Sequence, residues 1–351
     1  MIVTVTDKFL NVRVGLPSLN APCNQFLAPG TDIEVDGQLY KGDLFKGVDT
    51  WMKDSAGNYY WSGGVLVFQP WFTGLHIPEI WQFATGKGVG VAIVDTGIKN
   101  DLPELPLSLP DFVYDNSRDT TDTDGHGTFC AGLVGLKRPL NNAMGVAPGA
   151  KIFASKIAET SAFGNAEKDA NRYADAIDWC ALQKDIHVIS ISWGNPLGSD
   201  TTIKNIQRAI DNAVKKGKII VCAIGDAAVF NDNAEYFPAA ADKTIGVGSI
   251  PIEHKLYPYI NPHLSVILNG GGIDSVKIAG FDHADYGTSW SNAIMAGIIA
   301  LIIEKLNFKY DLATIGKIIQ DMVPKKTYSI GDVTLELPTL DGDKLLSFFK
   351  T

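Results

Sequence analysis

"GVGVAIVDTGI", residues 88–98, is an apolar run that stops at Asp95-Thr96-Gly97. Val91 to Val94 show no alternation of polar and apolar residues, the pattern of a strand covered on both faces. Three similar runs follow: "HVISISWG" (187–194), "KIIVCAIG" (218–225) and "TIGVGSI" (244–250). Between and after them the spacing turns helical. "AEKDANRYADAIDWCALQ" (166–183) has the period of a helix, and "TIKNIQRAIDNAVKKG" (202–217) closes on two lysines and Gly217, a helix stop. "SNAIMAGIIALIIEKL" (291–306) is an apolar helix. Buried strands alternating with helices predict a parallel α/β sheet flanked by helices over residues 79–351.

Upstream the pattern differs. Residues 1–67 break into short runs near 2–6, 9–14, 31–35, 38–40, 50–53 and 59–61. Asp36-Gly37, Gly42-Asp43 and Ala56-Gly57-Asn58 supply turn signals. Short strands with such turns predict a small all-β barrel. "FQPWFTGLHIPEIW" (68–81) joins the two parts. It is too aromatic for a loose tether, so residues 68–78 are expected to pack on the second domain.

Of the 351 residues, 46% are apolar and 20% charged, ordinary for a globular protein with a sizeable core. The net charge of -9 argues against a nucleic-acid or anionic-membrane partner. The longest apolar run, Ala293–Ile303, is short of the roughly 20 residues of a membrane span. The N-terminus alternates like a strand and has no signal-peptide core, so the chain as it stands reads as cytoplasmic, or as secreted if a leader was removed. The cysteines at 23, 130, 180 and 222 form no CxxC pair, and they are expected to be reduced thiols, the last three in the core.

In parallel sheets the functional groups gather at the carboxyl ends of strands. Asp95 ends the first strand. His126 sits between glycines in "DTDGHGTFCAGLVG" (122–135), and Ser289 stands in "DYGTSWSNAIMAG" (285–297). Singly, each has a plain reading: a strand-end cap, a structural histidine, a helix N-cap. Together they are the parts of a nucleophilic triad. The imidazole takes the hydroxyl proton, and the carboxylate holds the imidazole's tautomer and stabilises its cation. The chain order is Asp, His, Ser, and no G-x-S-x-G elbow surrounds a serine.

"VAIVDTGI", "DGHGTFCAG", "GTSWSNAIMAG", "NNAMGVAPGAKI" and "YFPAAADKTIGVGSI" closely resemble the subtilisin-like serine proteases (subtilases, family S8) from about residue 79 to 325. The resemblance implies a serine endopeptidase with the triad Asp95, His126 and Ser289. It implies a substrate strand pairing with "ISWG", so that Ser192, Trp193 and Gly194 form one wall of the primary pocket. Ala223, Ile224 and Gly225 form the other. Trp193 is expected to line the side-chain pockets. "LNVRVGLPS", "LAPGTDIEV" and "TWMKDSAGNYYWSGG" resemble the bacterial SH3-like (SH3b) module, which implies a peptide, cell-wall or domain ligand. Its aromatic cluster Trp51, Tyr59, Tyr60 and Trp61 reads as a barrel core first and a ligand shelf second.

Several positions depart from the family. In "VCAIGDAAVF" (221–230), Asp226 stands where the resemblance puts the oxyanion-hole asparagine, the Ser289 N–H being the second donor. Losing one such donor in a subtilisin costs about 10²–10³ in kcat. A protonated Asp226 would still donate, and partial burial beside a developing anion favours the protonated form. Some subtilisin-like proprotein convertases carry Asp here. Trp290 replaces a small or Met residue and is expected to crowd the leaving-group side, and Ala293 replaces a proline. "NNAMGVAP" looks shortened beside the calcium-holding loop of secreted subtilisins, so no cofactor and no tight calcium site are expected. Two other functions compete. A catalytically weak pseudoprotease acting as a peptide-binding scaffold is favoured by Asp226 and Trp290. A dinucleotide-binding protein rests on "GKGVGVAIVD", but there the glycines precede a strand rather than open a helix.

Overall fold

The computed structural model describes residues 2–6, 8–66, 69–114, 119–137, 143–160, 166–196, 199–225, 236–250, 264–269, 273, 275, 287–330 and 333–351. The chain divides into two compact units, Met1–Pro70 and Trp71–Thr351.

The first unit holds β1 (Ile2–Val5), β2 (Leu10–Val14), β3 (Cys23–Leu27), β4 (Asp32–Glu34), β5 (Tyr40–Phe45), β6 (Val48–Lys53), β7 (Asn58–Trp61) and β8 (Val65–Leu66). They form a three-stranded sheet in the order β4-β1-β8 and a five-stranded one in the order β3-β2-β7-β6-β5. All described pairings are antiparallel. Alternating residues such as Val3 and Val5, and Leu10 and Val12, enter one small core with Ile33, Met52 and Tyr60.

Two details differ from the sequence reading. β3 was not expected, because every residue from Cys23 to Phe26 is exposed and no alternation marks it. Gly42-Asp43 is no turn: it lies within β5, where the register slips between Lys41 and Phe45. A Cβ on Gly42 would collide with the Pro17 carbonyl and the Trp51 indole, so close approach explains that glycine. The chain reverses instead at Lys46-Gly47, both at positive φ.

The second unit opens with two short helices, α1 (Pro70–Gly74) and α2 (Ile77–Ile80). Phe72, Ile77 and Ile80 are buried, and the Trp81 indole donates to the Val146 carbonyl at 2.9 Å. Then come β9 (Gly90–Asp95), β10 (Leu107–Val113), α3 (His126–Gly135), β11 (Lys151–Lys156), α4 (Ala166–Leu182), β12 (Val188–Ile191), β13 (Asn195–Pro196) and α5 (Asp200–Lys215). After these run β14 (Ile219–Ala223), β15 (Tyr236–Phe237), β16 (Ile245–Ile250), β17 (Leu264–Asn269), α6 (Thr288–Lys305), α7 (Leu312–Met322), β18 (Lys325–Ile330), β19 (Val333–Pro338) and α8 (Gly342–Lys350).

Seven of the strands make one parallel sheet in the order β10-β11-β9-β12-β14-β16-β17. On one face, Ala92, Val94, Ile189, Ile191, Ile220 and Cys222 pack against Tyr173, Ile177, Ile206 and Ile210 of α4 and α5. The alternate residues face the other side, where α3 and α6 lie. α5 buries Thr202, Ile206, Ala209, Ile210 and Ala213, a stripe at helical spacing, and ends as expected at Gly217 with φ +77°. α6 is different: every residue from Trp290 to Ile303 is buried, which makes it a central core helix. No described helix is long and apolar enough to cross a membrane.

Cys130, Cys180 and Cys222 are free and buried, whereas Cys23 is free and exposed on β3. Burial pushes all three core thiols above their ordinary range. Ellman's reagent is therefore expected to titrate one thiol per folded chain, and four after denaturation. A second fast-reacting thiol in the folded protein would contradict this packing.

Candidate active site

Asp95 is the last residue of β9 and is fully buried. Its Oδ1 accepts from the Thr96 N–H at 2.8 Å and faces His126 Nδ1 at 2.7 Å. Its Oδ2 has no partner among the described residues. His126 is the first residue of α3, entered through Gly125 at φ +110°. A Cβ on the next residue, Gly127, would meet the Gly97 carbonyl and press on the Asp95 side chain, so the helix approaches β9 this closely only with glycine there. Burial disfavours the imidazolium. The Asp95 carboxylate, helped by Asp124 and Asp122, outweighs it, and the His126 pKa stands above its ordinary 6.5.

Ser289 is the second residue of α6. The cap position belongs to Gly287, so the hydroxyl is not an N-cap. It donates to the Ser192 carbonyl at 2.8 Å, and the Ser192 hydroxyl returns a bond to the Ser289 carbonyl at 3.1 Å. Its one proton thus points to Ser192 rather than to His126. Beneath this pair Asn292 donates to the Ser190 and Ser192 hydroxyls, each at 3.1 Å. Cys130 lies between the two halves. Its thiol contacts the Ser192 hydroxyl, and its sulfur and the facing atoms of Asp95 and His126 lie within 4.8 Å of one another. Burial, and then the nearby Asp95 charge, push that thiol well above its ordinary pKa, so it stays protonated.

Trp290, expected to crowd the leaving-group side, is buried, its ring 5.2 Å from the His126 ring and 4.3 Å from that of Phe129. Trp193 is also buried, in the core cluster with Ile224 and Phe237. Ser192, Trp193 and Gly194 run on from β12 and carry no ladder pairing among the described residues. Ala223 and Ile224 are buried at the end of β14, and Gly225 turns the chain at φ +92° beside the Tyr236 ring. Asp226 lies outside the described residues, as do positions 141 and 142 of "NNAMGVAP", the stretch read as too short to hold calcium tightly.

Two residues of the site escaped the sequence reading. Asp122 is buried and accepts five hydrogen bonds. Oδ1 takes Thr96 Oγ1 (2.9 Å) and the N–H groups of Asp124 (3.1 Å) and Gly125 (2.8 Å). Oδ2 takes the N–H (2.9 Å) and hydroxyl (2.6 Å) of Thr128. Thr96 Oγ1 in turn accepts from the Gly127 N–H at 3.0 Å. One carboxylate therefore ties the end of β9 to the start of α3. Asn292 is the other; an amide inside an otherwise apolar helix is the signal that marks it.

A buried acid–imidazole pair and a serine hydroxyl at a helix N-terminus, all at the carboxyl edge of a parallel sheet, are the parts of a serine hydrolase. Residues 86–329 match the model of the subtilase family, peptidase S8, and the chain belongs to that family. It is 26% identical over 288 residues to an intracellular serine protease of Paenibacillus polymyxa, a match covering 78% of this chain and 82% of that one. Subtilisin NAT of Bacillus subtilis subsp. natto is 30% identical over 228 residues, covering 64% of this chain and 58% of that one. Among solved structures, MycP1 from Mycobacterium smegmatis shares the fold with a TM-score of 0.63 at 22% identity, over 80% of this chain and 87% of that chain. The chain is a subtilisin-like serine protease.

Removing the Asp122 carboxylate frees the two loops that hold Asp95 and His126. Asp122→Ala is expected to lower kcat by about 10²-fold, the scale of a 1 Å misplacement, while the far-ultraviolet spectrum stays that of the folded chain. An unchanged kcat in a folded variant would refute the tie.

Proposed function

We propose that the chain is an endopeptidase whose triad is Asp95, His126 and Ser289. The reading rests first on the 2.7 Å contact between Asp95 and His126. The Ser289 hydroxyl turns from the Ser192 carbonyl to the imidazole, which takes its proton as Oγ attacks the scissile carbonyl. The resulting oxyanion is met by the Ser289 N–H, one of the first-turn groups that α6 leaves unpaired, and by Asp226. His126 then passes the proton to the leaving amine, and the C–N bond breaks to leave an acyl ester on Ser289. Water, deprotonated by His126, hydrolyses that ester and restores the hydroxyl. Every step uses protein groups and water alone, with no cofactor.

The substrate is a peptide or protein strand laid against Ser192, Trp193 and Gly194, with Ala223, Ile224 and Gly225 opposite. Support comes from the lack of a ladder partner for residues 192–194 among the described residues and from the turn at Gly225. The burial of Trp193 supports a place behind this wall rather than on a pocket surface. The N-terminal unit is an SH3-like module, a reading supported by its two small antiparallel sheets. A reducing compartment suits the four free thiols.

Two groups set the pH profile in opposite senses. His126 must be neutral to act as base, and its pKa is raised, so protonation below that value removes the base. The acid limb of kcat/KM is expected above pH 6.5. Asp226 must be protonated to donate, which favours lower pH. Asp226→Asn removes that second demand and is expected to raise kcat at pH 8 by about tenfold or more, within the span of one oxyanion donor. An Asn variant no faster at any pH would sink the role given to Asp226. A fluorophosphonate probe is expected to label the chain, and Ser289→Ala to abolish the labelling. Labelling absent from pH 5 to 8 would instead put the chain among peptide-binding scaffolds.

A further inference from the structure

The N-terminal unit carries a feature that the protease chemistry does not use. A cavity of about 480 Å³ lies within it, and its lining includes the rings of Phe9, Phe45 and Trp61 and the cationic residues Lys8, Arg13 and Lys46. This is the volume of an ordinary ligand site. The walls are held in place. Trp61 donates to the Val48 carbonyl at 3.2 Å, lies flat on Gly63, and meets Phe45 edge to face at 4.9 Å. Arg13 donates to the Ala21 carbonyl at 2.8 Å, which fixes its guanidinium, and Lys46 Nζ stands 5.3 Å over the Phe45 ring.

Exposure sets this unit apart. Of eleven exposed large apolar side chains among the described residues, seven belong to it: Phe9, Val14, Leu16, Phe26, Leu39, Leu44 and Phe45. Phe9 is 68% exposed on the cavity wall. Charge is equally uneven. The chain as a whole carries -9, yet the described lining residues include three cations and no carboxylate. Asp43, close by in sequence, has its carboxylate tied to the Ser18 hydroxyl and the Leu19 N–H. An aromatic trough with a cationic rim is complementary to a ligand that stacks or inserts an apolar ring and carries anionic groups beside it.

We propose that this cavity is a binding site for an extended acidic peptide segment bearing an aromatic side chain, the ring seated between Phe9, Phe45 and Trp61 and the carboxylates on Lys8, Arg13 and Lys46. A single-stranded nucleic acid would use the same chemistry, but a chain of net charge -9 repels a long polyanion, whereas a short acidic segment meets mainly the local cations. The site does not depend on Ser289, and its test does not depend on catalysis.

The test uses the full chain carrying Ser289→Ala, so that no probe is cleaved. Fluorescence anisotropy follows three labelled probes: the peptide Asp-Glu-Phe-Asp-Glu, its counterpart Lys-Arg-Phe-Lys-Arg, and oligothymidylate of ten nucleotides. Lys8 and Lys46 are exposed, so Lys8→Glu with Lys46→Glu leaves the core of the unit intact. The acidic peptide is expected to bind saturably, to weaken at least about tenfold in the double variant and to weaken further at 0.5 M salt. The basic peptide is expected to bind at least tenfold less tightly. No binding of the acidic peptide, equal binding of the two peptides, or affinity unchanged in the double variant would each overturn the proposal. Tighter binding of oligothymidylate than of the acidic peptide would overturn it in favour of nucleic acid.

Discussion

The constraint on which the protease unit depends is the burial of the Asp95 carboxylate. A lone charge out of water costs several kcal/mol, and it is held there only by groups brought to it with good geometry. β9 supplies a covered position, because each of its six residues is buried in the middle of a parallel sheet. The Thr96 N–H and the His126 imidazole then answer the charge on one oxygen. The same contact decides the state of the imidazole, since burial by itself would discourage its cation. Asp122 completes the arrangement from below, holding the end of β9 and the start of α3 with one side chain. Acid, base and the two loops that carry them thus form one electrostatic unit.

The parallel sheet was legible because its strands are apolar on both faces and its helices carry a clear stripe or none at all. α5 ends at Gly217, where the lysines and glycine announce it. Asp95, His126 and Ser289 stand out in sequence because each sits where a strand or helix begins or ends among small residues. Asp122 was not, since an acid before a helix usually reads as a solvated cap; only the fold brings Thr96 and Thr128 to it from both sides. The burial of Trp193 and Trp290 is invisible in sequence for a related reason. Sequence places them next to the reacting groups, but a ring of that size at a packed sheet edge gains more by entering the core. The conformer of Ser289 is also invisible in sequence, because it depends on a carbonyl 97 residues away.

The N-terminal unit shows the opposite balance. Its strands are short and its core is small, so alternation is weak and turns carry most of the signal. Gly42 misled because a glycine can mark either a reversal or a close contact, and here Trp51 and Pro17 press on it. β3 left no trace because this edge strand is exposed from Cys23 to Phe26 and only Leu27 turns to the core. What sequence offered instead was aromatic content, and the fold divides it: Tyr59 and Tyr60 go inside, Trp61 lines the cavity, and the buried Trp51 does both.

Helix α6, which carries Ser289, is buried at every residue from Trp290 to Ile303. Elements so enclosed open only when the whole unit does, whereas peripheral segments fray at small cost. Ser289 therefore sits at the start of a helix whose backbone is enclosed in the core. Partial loosening at the periphery leaves the position of its Cα unchanged, and control over the enzyme has to act on side-chain rotation or on access. For a protein that cuts other chains, this has a protective side. The body of the helix that carries Ser289 is out of reach of another copy while the unit stays folded.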